Sequence, residues 1–348
     1  MKSSNFLLLI LALALMACNV SPKLPRTQAS PAQKAAFDSL FPIVWGDGVN
    51  ELHTLLIVQD GKVLYERSDP AHDTEMLHVL WSASKTFTAT AVGFAVQDGL
   101  LGVEDRVVDL IPGFCPAERP AWLEEMTVWH LLTMSSGLSL SPTSSDCRRG
   151  DVSDWARASL AAPMRFRPGE FFEYNSMETY LLSVIVSEVT GERVDRYLER
   201  KLFRPLGIRE YHWDASPQDY STGGWGLFLS AESMAKMGQF MLQKGEWNGR
   251  RLLDASWFDA AMSPQIMQYQ GRSSETERIE QGRPADDWNQ GYGYQMWCCQ
   301  HGAFRLDGAW SQYCIIIPSK RAVVVALSHC NNGRILLDAV WDHILPNL

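Results

Sequence analysis

A chain of 348 residues, 46% of them hydrophobic and 20% charged, carries enough apolar material for one large core or two lobes. Its net charge of −9 argues against a nucleic-acid partner, because no basic patch stands ready to neutralise phosphates. The thirteen tryptophans serve core and surface packing, and some are candidates for the walls of a substrate cleft.

The first eighteen residues read as a targeting segment. Lys2 supplies a short positive region, and Phe6 through Met16 form an apolar stretch too short to span a bilayer comfortably. The segment closes with Leu15-Met16-Ala17-Cys18, which resembles the lipobox of bacterial lipoproteins. The resemblance implies that Cys18 is lipidated and becomes the mature N-terminus. The competing reading is ordinary signal-peptide cleavage after Ala12-Leu13-Ala14. Asn19 is not the aspartate that holds such lipoproteins at the inner membrane, so a periplasmic, outer-membrane anchor is expected. Both readings export the chain to a compartment where disulfides persist. Six cysteines remain (Cys115, Cys147, Cys298, Cys299, Cys314 and Cys330), and sequence alone does not choose among their pairings. A Cys115–Cys147 bridge is plausible, since both fall in loops of one segment. Cys298 and Cys299 are adjacent on an expected strand and must face opposite sides. No C-x-x-C or paired Cys/His spacing appears, so neither metal nor cofactor is expected.

Residues 19–31, rich in Ser, Pro and Thr, read as a tether, and the domain proper is expected over 32–348. A helix is expected near Ala32–Leu40. Leu52–Val58 and Lys62–Arg67 then read as a hairpin about Asp60-Gly61. Leu77–Trp81 leads into a helix over Ser82–Gln97, whose almost wholly apolar surface predicts burial.

That helix start carries Ser82-Ala-Ser-Lys85, with a serine and a lysine three residues apart on one face. A serine hydroxyl becomes a useful nucleophile when a neighbouring base takes its proton, and a lysine is such a base once burial or nearby positive charge lowers its pKa. The same spacing recurs at Ser233-Met-Ala-Lys236. There Ser230 reads as the N-cap, and Met234, Met237, Phe240 and Met241 form the stripe of an ordinary amphipathic helix, so Ser233 reads as structural.

From about 103 to 284 the pattern is mainly helical, with periods at Thr127–Met134, Met177–Thr190, Val194–Leu202, Ala231–Lys244 and Ser256–Met262. Within it, Tyr174 sits in a turn before a helix. A tyrosine whose pKa is lowered by a nearby ammonium relays a proton to a leaving group. The polar stretch Gln268–Trp288 reads as an exposed loop bordering a cleft. Strands follow at Tyr292–Cys299, Ala303–Leu306, Gln312–Ile317 and Ala322–His329, then a closing helix over Gly333–Ile344. Strands at both ends imply one antiparallel sheet built from the two termini, with a helical lobe inserted between them.

Taken together these blocks resemble the serine β-lactamase-related superfamily: class C β-lactamases, penicillin-binding proteins, esterases and 6-aminohexanoate-dimer hydrolases. Ser82-Ala-Ser-Lys85 matches its first motif, and Tyr174-Asn-Ser176 stands where Tyr-x-Asn belongs, after Pro168-Gly-Glu-x-Phe. Leu131–Leu138, Gly223-Gly224, Ser230–Gly249 and Gly291–Tyr294 resemble further family segments. The resemblance implies an α/β (α+β) fold of β-lactamase/transpeptidase type. It also implies an acyl-enzyme on Ser82, Lys85 as base, Tyr174 as proton relay, and an oxyanion site made by the backbone N–H groups of Ser82 and Ala309. Ser176, Gly308 and Trp310 become candidate substrate-binding residues. Two departures shift the expected substrate. Ser176 replaces the Asn of the second motif, and Leu306-Asp307-Gly308 replaces the cationic third motif; the lost charge-assisted bond to a β-lactam carboxylate is worth roughly 1.5–3 kcal/mol. Gly308-x-x-x-Gln312 is closer to the 6-aminohexanoate-dimer hydrolases. The expectation is therefore an exported serine hydrolase of a small ester or amide. The alternatives are a slowly turning-over penicillin-binding or peptidoglycan-related lipoprotein, or a binding module without catalysis.

Overall fold

The computed structural model describes residues 22–46, 48–268 and 287–348. Six strands form the main sheet: β1 (Glu51–Gln59), β2 (Lys62–Ser68), β8 (Trp297–Cys298), β9 (Phe304–Gly308), β10 (Gln312–Ile317) and β11 (Ala322–His329), in the order β2-β1-β11-β10-β9-β8. Every pairing is antiparallel, and β1 joins the two ends of the chain by lying against β11, with Leu55 opposite Ala326 and Ile57 opposite Val324. The β1–β2 hairpin turns at Asp60-Gly61, both in the left-handed region that this tight turn demands. A three-stranded sheet, β3 (His78–Val79), β5 (Leu227–Leu229) and β4 (His212–Trp213), and a hairpin of β6 (Glu246–Trp247) and β7 (Arg250–Arg251) complete the strands.

Both faces of the main sheet are covered, which is why β1 and β11 read as near-continuous apolar runs. Leu52, Leu55 and Ile57 face helices α1 (Pro31–Asp38), α2 (Leu40–Trp45) and α6 (Gly333–Ala339). Leu56 and Val58 face the opposite core, formed with α3 (Ser84–Gln97), α4 (Ser176–Thr190) and α5 (Ala231–Leu242). Helix α5 lies directly on β10 and β11. A Cβ on Gly238 would fall 2.5 Å from Val323 and 2.6 Å from the Cys314 sulfur, so only glycine allows this approach. The second Ser-x-x-Lys match sits in α5 as a structural element: Ser230 caps the helix, and Lys236 Nζ donates to the Gly207 carbonyl at 3.1 Å.

Several expectations change in the folded chain. The lipobox Cys18 and the first part of the tether lie outside the described residues. From Pro22 on, the expected tether is docked. Leu24 is buried, its N–H bonds the buried Glu232 carboxylate, and Arg26 pairs with Glu232 at 2.7 Å and Glu66 at 2.9 Å. Most of Gln268–Trp288 also lies outside the described residues, but its ends are not exposed. Gln268 accepts a bond from the Gly291 N–H, and Asp287 accepts from the Trp341 indole and the Gln300 N–H. The strand expected over Tyr292–Cys299 shortens to β8, because left-handed backbone at Gly291 and Gln295 breaks the extended run. The Cys115–Cys147 bridge is not formed, and all six described cysteines are free thiols. Cys147 packs on the Met177 sulfur, and Cys115 faces the Val108 and Ile111 carbonyls.

Candidate functional site

Strand β3 leads into Ser82, the candidate nucleophile. Its pairing with β5 and the Leu80 N–H to Leu227 carbonyl bond (2.8 Å) hold the chain up to Trp81. Trp81 then takes a left-handed φ of 47°, rare for a bulky residue and a mark of a functionally constrained turn. A 3₁₀ turn over Trp81–Ala83 runs into α3 and puts Ser82 at the mouth of that buried helix. Ser84 locks the turn by donating to the Trp81 carbonyl (2.6 Å) and accepting from the Leu227 N–H (3.2 Å).

Lys85 lies one turn on and is 1% exposed. Its Nζ is 3.0 Å from Ser82 Oγ, 2.9 Å from Ser176 Oγ and 2.7 Å from the Gly224 carbonyl. Burial pushes its pKa down to about 7, with Arg148 reinforcing the shift and Asp307 opposing it. A neutral amine has two hydrogens and one lone pair. The Gly224 carbonyl and the Ser176 oxygen take the hydrogens, which leaves the lone pair for the Ser82 hydroxyl. Ser176, expected at the substrate, lies against Lys85.

Tyr174 sits in the turn before α4, whose N-cap Asn175 accepts from the Met177 N–H at 3.0 Å. Its ring stacks on Trp297 (5.8 Å, 22°), and its hydroxyl is within hydrogen-bonding reach of Ser82. The expectation that an ammonium lowers this phenol is reversed: burial raises it well above its usual value, against the pull of the Ser82 hydrogen bond. Lys85 Nζ lies 5.0 Å from the ring centroid, over the face of the ring, and with a pKa of about 7 is only partly charged near neutral pH. The phenol therefore holds its proton and is a donor.

The third wall is the end of β9. Strand β9 stops at Gly308 and turns through Ala309–Ser311, with Trp310 and Ser311 left-handed, before Gln312 pairs back with Gly308. A Cβ on Gly308 would lie 2.1 Å from the Leu80 carbonyl oxygen, so glycine lets β9 press against the segment that carries Ser82. The Ala309 N–H follows directly. Trp310 stands 40% exposed and stacked on His329 (4.1 Å, 15°), a rim position rather than a floor. Leu306 is fully buried in the core, so no cation occupies the third motif. Gly308→Ala is expected to lower kcat/KM by about 100-fold through displacement of β9 by roughly an ångström. Steady-state kinetics alongside urea unfolding checks this, and unchanged kcat/KM would refute the close-approach argument.

Other members of the site were not named from the sequence. Arg148 bonds only the Ser144 and Ser145 hydroxyls among the described residues, and its positive charge reaches Lys85. Asp307 pairs with fully buried Arg305 at 2.8 Å and is 18% exposed. Trp297 forms the tyrosine's stacking partner. Nothing in local sequence marks these residues, because each gains its role by meeting Lys85 or Tyr174 across the fold.

The chain belongs to the β-lactamase family, whose sequence profile matches residues 52–342. Protein flp of Staphylococcus aureus (strain COL) is 28% identical over 164 residues, which is 44% of this chain and 33% of that relative's length. A Bacillus anthracis protein assigned as a 6-aminohexanoate-dimer hydrolase superposes with a TM-score of 0.74 at 17% identity, covering 94% of this chain and 89% of the other. EstCE1, described as a hydrolase with promiscuous acyltransferase activity, superposes at 0.70 with 18% identity over 89% of this chain and 98% of its own. These two likenesses establish the fold, antiparallel sheet and helices included.

Proposed function

We propose that this protein is an exported hydrolase that cleaves a small carboxylic ester or amide through an acyl-enzyme on Ser82. The observation that carries the reading is the buried Lys85 amine, 3.0 Å from Ser82 Oγ and drawn down to about 7. In acylation, Ser82 Oγ attacks the substrate carbonyl carbon as Lys85 takes its proton. The developing oxyanion rests on the N–H groups of Ser82 and Ala309. Protonated Tyr174 donates to the departing alkoxide or amine and recovers a proton from the Lys85 ammonium. Water then attacks the acyl-enzyme with the same groups acting in reverse, releasing the acid and restoring Ser82. Buried Leu306, and Ser176 turned to Lys85, leave no cation or amide for a β-lactam, which favours simple esters or amides. The assignments carried by two superposing structures, a 6-aminohexanoate-dimer hydrolase and a hydrolase with promiscuous acyltransferase activity, support the same reading.

Labelling with a serine-directed fluorophosphonate and, separately, with a tagged penicillin, followed by peptide mass spectrometry, tests the proposal. A fluorophosphonate adduct on Ser82 with rapid ester turnover is expected. No adduct on Ser82 would defeat the hydrolase reading, and a long-lived penicilloyl adduct would replace it with a penicillin-binding role. The pH dependence is a second check. Acylation needs neutral Lys85, whose lowered pKa makes kcat/KM rise with pH through about 7 and level off above it. A profile flat from pH 5 to 9 would contradict Lys85 as base.

We also propose that Cys18 is lipidated and anchors the domain to a membrane, on the strength of Leu15-Met16-Ala17-Cys18. Labelled palmitate should enter the wild-type chain and be lost in Cys18→Ala; label retained in that variant would exclude the anchor.

A further inference from the structure

We propose that His53, His72 and His78 form a binding site for a divalent transition-metal cation of the zinc type. They come from three separate places: His53 from β1, His72 from the loop after β2, and His78 from β3. No sequence spacing announces them, yet one ring nitrogen of each lies within 4.8 Å of the other two. The His53 and His72 rings stack at 3.9 Å, and His78 stands 5.5 and 5.3 Å from them.

The hydrogen bonds decide which nitrogens are available. His72 Nδ1 lies 2.8 Å from an Asp69 carboxylate oxygen, His53 Nε2 3.2 Å from a Glu51 oxygen, and His78 Nδ1 3.3 Å from the Met76 carbonyl. These oxygens accept hydrogen bonds, so each of those ring nitrogens carries the hydrogen. The lone pair is left on His72 Nε2, His53 Nδ1 and His78 Nε2. Two of these, His53 Nδ1 and His78 Nε2, are buried without a hydrogen-bond partner. A buried nitrogen with an unused lone pair is unfavourable alone, and a cation shared by three removes the deficit. A ligating imidazole whose other N–H is held by a carboxylate or carbonyl is the usual outer-shell arrangement of metal-bound histidine.

Three imidazole nitrogens match zinc-type ions better than calcium or magnesium, which take oxygen ligands. Metal–nitrogen bonds of about 2.0–2.1 Å require the stacked rings to splay and draw together. A surface depression lined by Trp45, Glu51, Asp69 and His72 reaches the edge of the cluster. Bound there, the ion ties β1 to β3, and His78 stands four residues before Ser82 in the chain. Its role would be to clamp the segment that presents the nucleophile.

The test uses the chain freed of metal with a chelator, then titrated with Zn²⁺ against a chromophoric chelator. One equivalent bound per chain is expected, with affinity falling at least about tenfold in His72→Ala, His78→Ala and the outer-shell variant Asp69→Asn. Zn²⁺ should raise the unfolding midpoint of the wild type and not of the histidine variants. A far-UV circular dichroism spectrum and a cooperative urea transition like those of the metal-free wild type show that the variants are folded. Should the histidine variants not fold, Co²⁺ bound to the wild-type chain decides the matter. A tetrahedral spectrum without a thiolate charge-transfer band is expected. The site is refuted by the absence of stoichiometric binding, by binding that survives these substitutions, or by a thiolate band placing the ion on cysteines.

Discussion

Ser82→Ala and Lys85→Met are each expected to lower kcat/KM for a small ester by about 10⁴-fold. The two groups act as one unit in the proposed mechanism: the Ser82 oxygen is inert until the Lys85 lone pair takes its proton, and what Lys85 later returns to Tyr174 is that same proton. The double variant should therefore be no worse than either single one, which separates a coupled pair from two independent contributions. Methionine keeps the length and apolar character of the lysine stem, so α3 retains its packing, and the orphaned Gly224 carbonyl and Ser176 hydroxyl bear the structural cost. Ester kinetics with titration of labelled Ser82 measures the loss. Lys85→Met retaining activity within tenfold of wild type would remove Lys85 from the mechanism.

Arg305→Met is expected to destabilise the fold by about 3–5 kcal/mol, because it strands a mostly buried carboxylate without its cation. Arg305 is fully buried, donates to Asp307 at 2.8 Å and to the Asp287 carbonyl at 2.7 Å, and lies 4.7 Å from the Trp288 ring. Burial already holds the Asp307 carboxyl above its usual range, with Arg305 pulling it back, so loss of Arg305 raises it further. The cost should be smaller in acid, where that carboxyl is neutral, and larger as pH rises and it must ionise. Replacing Arg305 and Asp307 together by apolar residues should recover most of the loss. Urea unfolding across pH measures this; a single variant within 1 kcal/mol of wild type would show that the ion pair is not an energetic unit. The same pair touches catalysis. The Asp307 anion favours the Lys85 ammonium, so Asp307→Asn should move the acid limb of the kcat/KM profile to lower pH.

The legibility of this chain divides along local and distant lines. Ser82 and Lys85 were readable because their relation is three residues long and any helix there puts them on one face. Their meeting at 3.0 Å follows from that spacing. The sheet from the two termini was likewise legible, since β1 and β11 are covered on both faces and read as apolar runs. Tyr174 was placed correctly before its helix, but its ionisation was inverted, since burial depends on Trp297 and Tyr292 arriving from a distant loop. The bond between Ser176 and Lys85 was not legible, because 91 residues separate them.

What the sequence determined by itself is the architecture and the juxtaposition of Ser82 and Lys85, because hydrophobic period and helical spacing are local rules. The tertiary structure alone decided the state of the base and the company it keeps. Lys85 is poised near neutrality because α4, the Gly223-Gly224 turn and β9 converge on one amine and exclude water from it. The three histidines meet for the same reason. Desolvation and long-range contact are properties of the packed chain, and no window of residues contains them.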